Sequence, residues 1–247
     1  MIWTVTMTWS PGDEPPLAVV IPALDEAPRL PSLLADLARA PELVREVWVV
    51  DGGSVDGTPS VARLAGALVS RGRPNRGLQL GAGIAASSAP WLLLLHADGR
   101  LPPGWALAVE RAIRRGPRFC WAFHLGIAGE SVGLRLVEVL VAWRTRVRKL
   151  PYGDQGLLVH RQALAGVGGM APIPLMEDLD LALRLRAQMP VRLLPGRYVV
   201  DGRRWRRYGP LQTWWRNAQL RRAWRRGEDP QRLAERYGAY QKAQRRS

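Results

Sequence analysis

Trp91-Leu92-Leu93-Leu94-Leu95-His96-Ala97-Asp98-Gly99 is the stretch on which the fold turns. Five large apolar residues in a row, with a helix-sized segment on each side, predict a central strand of a parallel sheet, buried on both faces. The run stops abruptly at a histidine, a small residue and an aspartate. In open α/β sheets, ligands bind in the crevice outside the carboxyl ends of the strands. A carboxylate there can hold a hard divalent cation, and the cation can hold a diphosphate. Asp98-Gly99 can equally be a plain turn, so the flanking sequence has to decide.

Upstream, residues 17–24 read as a buried first strand, ended by Pro22 and followed by Asp25-Glu26. Leu30, Leu33, Leu34 and Leu37 fall at i, i+3, i+4 and i+7, one face of a helix. Val47 to Val50 predicts a second strand, with residues 51–59 (Asp-Gly-Gly-Ser-Val-Asp-Gly-Thr-Pro) as its exit. Thr58 before Pro59 predicts a helix start, cap then first turn. A short strand at Ala67 to Ser70 and a helix from Arg76 to Ala86 lead into the central strand.

Downstream, a helix from about Pro103 to Arg115 completes four strand–helix alternations, a doubly wound α/β sheet. Phe119, Trp121, Phe123, Leu125 and Ile127 alternate with smaller or polar residues, predicting a strand with one open face at which the sheet becomes mixed. Ser131 to Lys149 is an amphipathic helix, residues 151–156 a polar loop, and Leu157 to Val159 a strand. Glu177-Asp178-Leu179-Asp180 opens a helix to about Gln188; Asp178 falls in its apolar arc, while Asp180 turns to solvent and pairs with Arg184 at i+4. Helix capping also explains a carboxylate at that position, but its place on the buried side favours one aimed into a cleft.

With 247 residues, 47% of them apolar, the chain can bury a full core. No apolar run approaches the roughly 18 residues of a membrane span. Met1 to Ser10 carries no basic residue and no continuous apolar core, against a signal peptide. The lone Cys120 excludes an internal disulfide and fits a reducing cytoplasm. Of the formal charge of +15, +11 sits after Asp201, where fourteen Arg or Lys face three Asp or Glu. The expected organisation is a flexible leader at 1–16, a catalytic domain at 17–208 and a basic helical extension at 209–247.

In this order and spacing the motifs resemble glycosyltransferase family 2 enzymes of the GT-A fold, over roughly Leu17 to Tyr208. Pro22, Asp25 and Glu26 after the first strand, and Asp51 to Thr58 after the second, look like that family's nucleotide-binding half. His96-Ala97-Asp98 sits where the family carries an Asp-x-Asp metal motif. Glu177-Asp178 looks like its base motif, and Arg203-Arg204-Trp205 like a variant of its Arg-Trp motif. Together with the loop at 151–156, the set resembles a soluble subgroup labelled radical-SAM/selenodomain-associated transferase 2. Two departures stand out: His96 replaces the first metal carboxylate, and Leu78 and Gly81 stand where the subgroup tends to carry Arg and Asn, leaving Arg76 as the phosphate contact of that segment.

The resemblance implies an inverting transfer of sugar from a UDP-, GDP- or dTDP-sugar to a hydroxyl acceptor, with Mg²⁺ or Mn²⁺ on Asp98. Arg203 and Arg204 would add cationic donors to the diphosphate. Asp178 would be the general base. Asp51 would accept from the nucleoside, with Asp25, Glu26 and Asp56 nearby, although Asp56 before Gly57 is also ordinary turn chemistry. His96 is open among metal ligand, phosphate donor and cap. Asp154 and Gln155 would line the donor-sugar or acceptor pocket, beside Glu177 and Trp205. His124 and His160 are structural, lacking partners at metal-ligand spacing.

Trp205, Trp214, Trp215 and Trp224 are interleaved with arginines in a segment helical from Pro210 to Arg226. Three readings stand, in falling order of weight: packing on the sheet, docking on an anionic membrane that holds a lipid-linked acceptor, and nucleic-acid binding. The expected location is the cytoplasm, with peripheral attachment to the inner membrane face. Two competing functions remain. A sugar-phosphate nucleotidyltransferase should show a glycine-rich, Lys/Arg-bearing signature after the first strand, where Pro22-Ala23-Leu24-Asp25-Glu26 stands instead. A non-catalytic membrane or nucleic-acid binder would rest on the basic segment alone.

Overall fold

The structure, a computed structural model, describes residues 14–243; the leader's first thirteen residues and the last four of the extension lie outside it. Residues 14–16 of the expected leader are tied to the sheet. Arg45 Nε donates to the Pro15 carbonyl (2.8 Å) and the Trp91 N–H to that of Pro16 (3.0 Å).

Strands β1 (Leu17–Ala23), β2 (Val44–Asp51), β3 (Leu68–Arg71) and β4 (Trp91–Leu94) alternate with helices α1 (Leu30–Leu37), α2 (Thr58–Leu64) and α3 (Arg76–Ala86). There follow β5 (Gly99–Arg100), α4 (Trp105–Ile113), β6 (Cys120–Ile127), α5 (Val132–Arg148), a 3-10 turn at Gly153–Gln155, β7 (Leu157–His160), α6 (Arg161–Gly166), α7 (Glu177–Gln188) and β8 (Val191–Val200). Helices α8 (Arg203–Tyr208), α9 (Pro210–Arg225) and α10 (Pro230–Ala243) end the described chain. One eight-stranded sheet has the order β3-β2-β1-β4-β7-β6-β8-β5. Six strands share a direction, and β7 and β5 run against them.

The quoted stretch behaves as its composition demands. Trp91, Leu93 and Leu95 enter the core under α1, α4 and α5, whereas Leu92 and Leu94 enter the one under α3, α6 and α7. Each fully buried leucine contributes roughly 1.5–3 kcal/mol, so a strand occupied on both sides cannot shift register cheaply. β6 departs from expectation: it has no open face. Its aromatic side fills the first core, and Cys120 joins the second, where Leu181 and Leu185 of α7 cover that face. The mixed character comes from β7 and β5, not from β6.

Two boundaries also shift. Pro22 does not end β1 but pairs within it, opposite Val50. Val20 accepts from Leu95 on the β4 side, while Ala23 accepts from Gly52 on the β2 side. Pro22, with the parity of Val20, therefore turns its missing N–H toward the side that β4 has left. Thr58 is the first residue of α2 rather than its cap; Gly57 holds the cap position at φ 84°.

Strands β2 and β3 lie on one side of β1 and β4 on the other, which makes the β1–β4 boundary the switch point of the sheet. The pairing there stops at Val20–Leu94, and beyond it the two chains diverge. Residues 22–26 and 96–98 leave from the two lips of that opening. The basic extension packs against its far side: Leu220 and Leu233 meet Leu175, and Trp224 meets Leu179 and Ala182 of α7. Packing holds for Trp224 and for Trp205, whereas Trp214 and Trp215 stay exposed.

Candidate active site

The donor lip is built from two loops laced by backbone N–H donors to hydroxyl and carboxylate oxygens. Asp25 N–H donates to Ser54 Oγ (2.9 Å), Glu26 N–H to Thr58 Oγ1 (2.9 Å) and Ala27 N–H to Asp56 Oδ2 (3.0 Å). Val55 N–H returns to Asp25 Oδ1 (3.0 Å). Asp25 sits at φ 54°, a left-handed conformation that aspartate tolerates through such local bonds. Asp56 is the turn residue that its context allowed, accepting also from Thr58 N–H (3.0 Å). Asp51 lies at the base of the glycine loop and borders a cleft there. Its carboxylate is sealed from solvent and accepts from Gly53 and Ser54 N–H, both at 3.1 Å, so it shapes the glycine loop from beneath. A cleft of about 290 Å³ opens beside it, bordered by Val55, Pro59, Arg63 and Arg71. Gln79, which sequence reasoning passed over, pins the lip: its Nε2 donates to Ala23 O (3.1 Å) and Val50 O (2.7 Å). A glutamine in a helix reads as surface, and nothing local marks it.

At the exit of β4, Tyr198 Oη donates to His96 O (2.6 Å), and a side chain at Gly99 would collide with the same phenol. Ala97 is buried in the core, while His96 and Asp98 stay half-open. Among the described residues the Asp98 carboxylate receives no hydrogen bond, and its nearest cation is Arg203 Nη2 at 3.7 Å. Arg203 is not a free diphosphate clamp: it pairs with Glu26 (2.5 Å), and Arg29 joins Glu26 (3.1 Å) to Asp201 (2.6 Å). Arg29 and Asp201 were not anticipated, since the motifs that flagged Glu26 and Arg203 carry no sign of the pairing. Trp205, expected beside the substrates, packs on the main core instead, and the Arg204 side chain lies outside the described residues.

The opposite wall is held by charges from five elements. Met176, at φ 69°, turns the chain into α7 and delivers Glu177 and Asp178. A bulky residue in that region costs roughly 1–2 kcal/mol. Asp178 Oδ2 accepts from Gly153 N–H (2.8 Å), which aims the carboxylate at the 3-10 turn. Glu177 is 1% exposed and bonds Arg76 Nε at 2.6 Å, so Arg76 is committed to this wall rather than standing free for a phosphate. Burial pushes the Glu177 carboxyl up to about 7; Arg76 pulls it down and the neighbouring Asp178 adds to the rise. Burial likewise raises Asp154, against the pull of Arg144, with Asp178 adding to the rise.

Gln155, expected to line a pocket, is wholly buried and braces the turn instead. Its Oε1 accepts from Arg144, Thr145 and Tyr152 N–H, and its Nε2 donates to Phe123 O (3.0 Å). The Arg144 guanidinium lies 3.6 Å from the Tyr152 ring centre, and that of Arg221, from α9, lies 5.3 Å from it. Glu177 Oε2, Asp154 Oδ1 and Arg144 Nε are all buried without a hydrogen-bond partner. Such atoms cost about 1–3 kcal/mol each unless water or a ligand reaches them. Asp180 is half-buried and pairs with Arg184 at i+4 as expected. Its Arg184 partner also donates to Val167 O and Gly169 O, tying the helix to the preceding loop. His160 is structural, with Nδ1 accepting from Gln162 N–H (3.3 Å).

The two walls meet at Gly153. A β-carbon there would lie 2.7 Å from His96 Nε2 and 3.2 Å from Asp178 Oδ2, so the β4 exit and the start of α7 share this residue as neighbour. No three His, Cys, Asp or Glu side chains converge as metal ligands among the described residues. The donor set therefore fits a hard cation that takes one carboxylate from the protein and its remaining oxygens from phosphate and water.

Residues 18–165 match the profile described as Glycosyl transferase family 2. An uncharacterized glycosyltransferase of Mycobacterium tuberculosis is 31% identical over 158 residues, 62% of this chain and 71% of that protein. Among solved structures, glucosyl-3-phosphoglycerate synthase from M. tuberculosis, in complex with Mn²⁺, UDP and glucosyl-3-phosphoglycerate, aligns with TM-score 0.54 and 20% identity over 81% of this chain and 78% of that one. A mannosyltransferase from Pyrobaculum calidifontis, in complex with GDP-Man and Mn²⁺, aligns with TM-score 0.60 and 18% identity over 90% of this chain. The chain spans 64% of that mannosyltransferase, and 64% of a mycobacterial protein of like fold. These likenesses bear out the expected GT-A type of mixed sheet.

Proposed function

The chain belongs to glycosyl transferase family 2, and from that premise we propose that it moves a sugar from a nucleoside diphosphate to a hydroxyl acceptor with inversion at the anomeric carbon. The nucleotidyltransferase and non-catalytic readings lose their ground with that membership. The observation that carries the proposal is the meeting of two walls at Gly153: His96, two residues from Asp98, and the Asp178 carboxylate both lie against it. A donor diphosphate at the switch point would put its anomeric carbon between them.

Asp98, the one carboxylate at the β4 exit without a hydrogen bond, would hold Mg²⁺ or Mn²⁺, which supplies Lewis-acid neutralisation of the leaving diphosphate when bound. Complexes of two proteins of this fold with Mn²⁺ and UDP or GDP-Man support that choice of cation and donor class. Arg203 adds a cation within 3.7 Å of Asp98. The cleft beside Asp51 offers the nucleoside a slot whose floor is braced by the glycine loop. On the acceptor side, Asp178 is held at one oxygen by Gly153 N–H and takes the proton of the attacking hydroxyl. Glu177, too buried to touch substrate, positions Asp178 and Arg76. With one base and attack opposite the leaving group, the configuration inverts. The acceptor is read as a lipid-linked hydroxyl compound presented at an anionic membrane surface, which the basic segment after Gly202 would face.

Incubation with UDP-, GDP- and dTDP-sugars and Mn²⁺, with nucleoside diphosphate release measured, tests the reaction class. Proton NMR of the first-formed sugar tests stereochemistry. The proposal expects release from one donor and an inverted anomer. Retention of configuration, or no release from any donor, contradicts it.

A further inference from the structure

Helix α5 buries one face in the core through Leu134, Val137 and Val141 and presents a second apolar face to solvent. Val132, Leu136, Val139, Leu140, Trp143 and Val147 follow at i, i+4, i+7, i+8, i+11 and i+15, and each is between 42 and 84% exposed. That spacing draws a stripe along the full length of the helix, on the side away from its buried face. Scattered surface leucines need no explanation, but a continuous stripe does.

The stripe does not end at α5. Gly133 lies against Pro210: a β-carbon on the glycine would stand 2.9 Å from the proline Cγ, so the amino ends of α5 and α9 touch. From there α9 adds exposed Leu211, Trp214 and Trp215. Cations flank the stripe toward the carboxyl ends of the same two helices, Arg146 on α5 and Arg222, Arg225 and Arg226 at the end of α9. Among the described residues none of these four has an ion-pair partner. Two adjoining helices thus share an apolar field with two tryptophans at its α9 side and unpaired cations at its end. Among the described residues no helix is long and apolar enough to cross a membrane.

We propose that this α5–α9 face docks the enzyme on an anionic phospholipid surface, with the stripe entering the headgroup–acyl boundary and the four cations facing lipid phosphates. The combination is the one interfacial helices use: an apolar face for the boundary, aromatic rings at headgroup level and basic groups for anionic lipid. Nucleic acid is a poorer fit, because valine and leucine on α5 offer nothing to phosphates or base edges. The inference deepens the reading of a membrane-presented acceptor and rests on it only for its purpose; the surface stands on its own geometry.

Co-sedimentation of the full chain with vesicles of equal parts phosphatidylglycerol and phosphatidylcholine tests it. Wild-type protein should pellet with these and not with pure phosphatidylcholine. Trp143→Glu and Leu136→Glu should each weaken pelleting at least tenfold, while Leu107→Glu, an exposed apolar site on α4, should not. Failure of the wild type to pellet overturns the proposal, as does undiminished pelleting of Trp143→Glu. So does a dimer in sedimentation velocity that Trp143→Glu dissociates without any vesicle binding, or binding to duplex DNA but not to vesicles. Nucleoside diphosphate release in lipid-free buffer, measured on the same proteins, separates loss of docking from failure of the transfer reading.

Discussion

The two lips of the cleft are held together by different physics. The donor lip joins residues 25–27 to 54–58 through backbone N–H groups and short polar side chains. The acceptor wall joins α3, α5, the 3-10 turn, α7 and α9 through Arg76, Arg144 and Arg221 set against Glu177, Asp154 and Asp178. Against the upward push of burial, hydrogen bonds from the Thr58 hydroxyl and backbone N–H groups hold Asp56 below its ordinary carboxylate value, so this scaffold scarcely changes above about pH 4.5. Buried charges make one whose balance shifts when a single group gains a proton or loses its partner. A transferase profits from that division, since the diphosphate needs a fixed seat and the acceptor hydroxyl needs a base.

The sharpest break between the lips should come at Asp178. Asp178→Asn is expected to lower transfer at least about 100-fold, the lower end of general-base contributions, with donor affinity unchanged by calorimetry. Equal loss of donor affinity would put Asp178 on the donor lip. Next in size is Arg76→Ala, which strands the buried Glu177. With a third of Arg76 still in water, about 2 kcal/mol of stability should be lost in urea unfolding, below the range for fully buried pairs.

The charge balance has a pH signature. Burial holds the Glu177 carboxyl at about 7 in the fold, above its ordinary value of 4.5. A carboxyl raised by folding binds more protons folded than unfolded, so its contribution to stability is present below pH 4.5 and is lost as pH rises toward about 7. Glu177→Gln should flatten that fall, whereas Thr58→Val, on the donor lip, should lower stability by the same amount at every pH in the window. The smallest effect belongs to Asp180→Asn: at most about 1 kcal/mol through the half-exposed Arg184 pair, with transfer within about twofold of wild type.

The same division governs what could be read from sequence. The β4 run, the α1 leucine face and the bounds of α3 follow from periodicity and were legible. The donor lip was legible as a motif, because its partners are short, polar and clustered in sequence. What escaped was long-range. β6 looks half-open until α7 covers its other face. Gln155 looks like a pocket residue until Arg144 and Phe123 enclose it. Arg203 and Glu26 are 177 positions apart, and no local pattern tells that they satisfy one another. The basic extension misled in the opposite direction. Its own charge drew attention, yet the larger share of the exposed apolar face lies on α5, which periodicity had marked only as amphipathic.

The proposed division between a cation-binding donor lip and a proton-accepting wall is tested most directly by calorimetric titration of the preferred nucleotide sugar into wild type, Asp98→Ala and Asp178→Asn, with and without Mn²⁺. The account predicts cation-dependent binding to the wild type, the same binding to Asp178→Asn, and an affinity for Asp98→Ala that is lower by about 10- to 100-fold and indifferent to Mn²⁺. Undiminished, metal-independent binding by Asp98→Ala would contradict it.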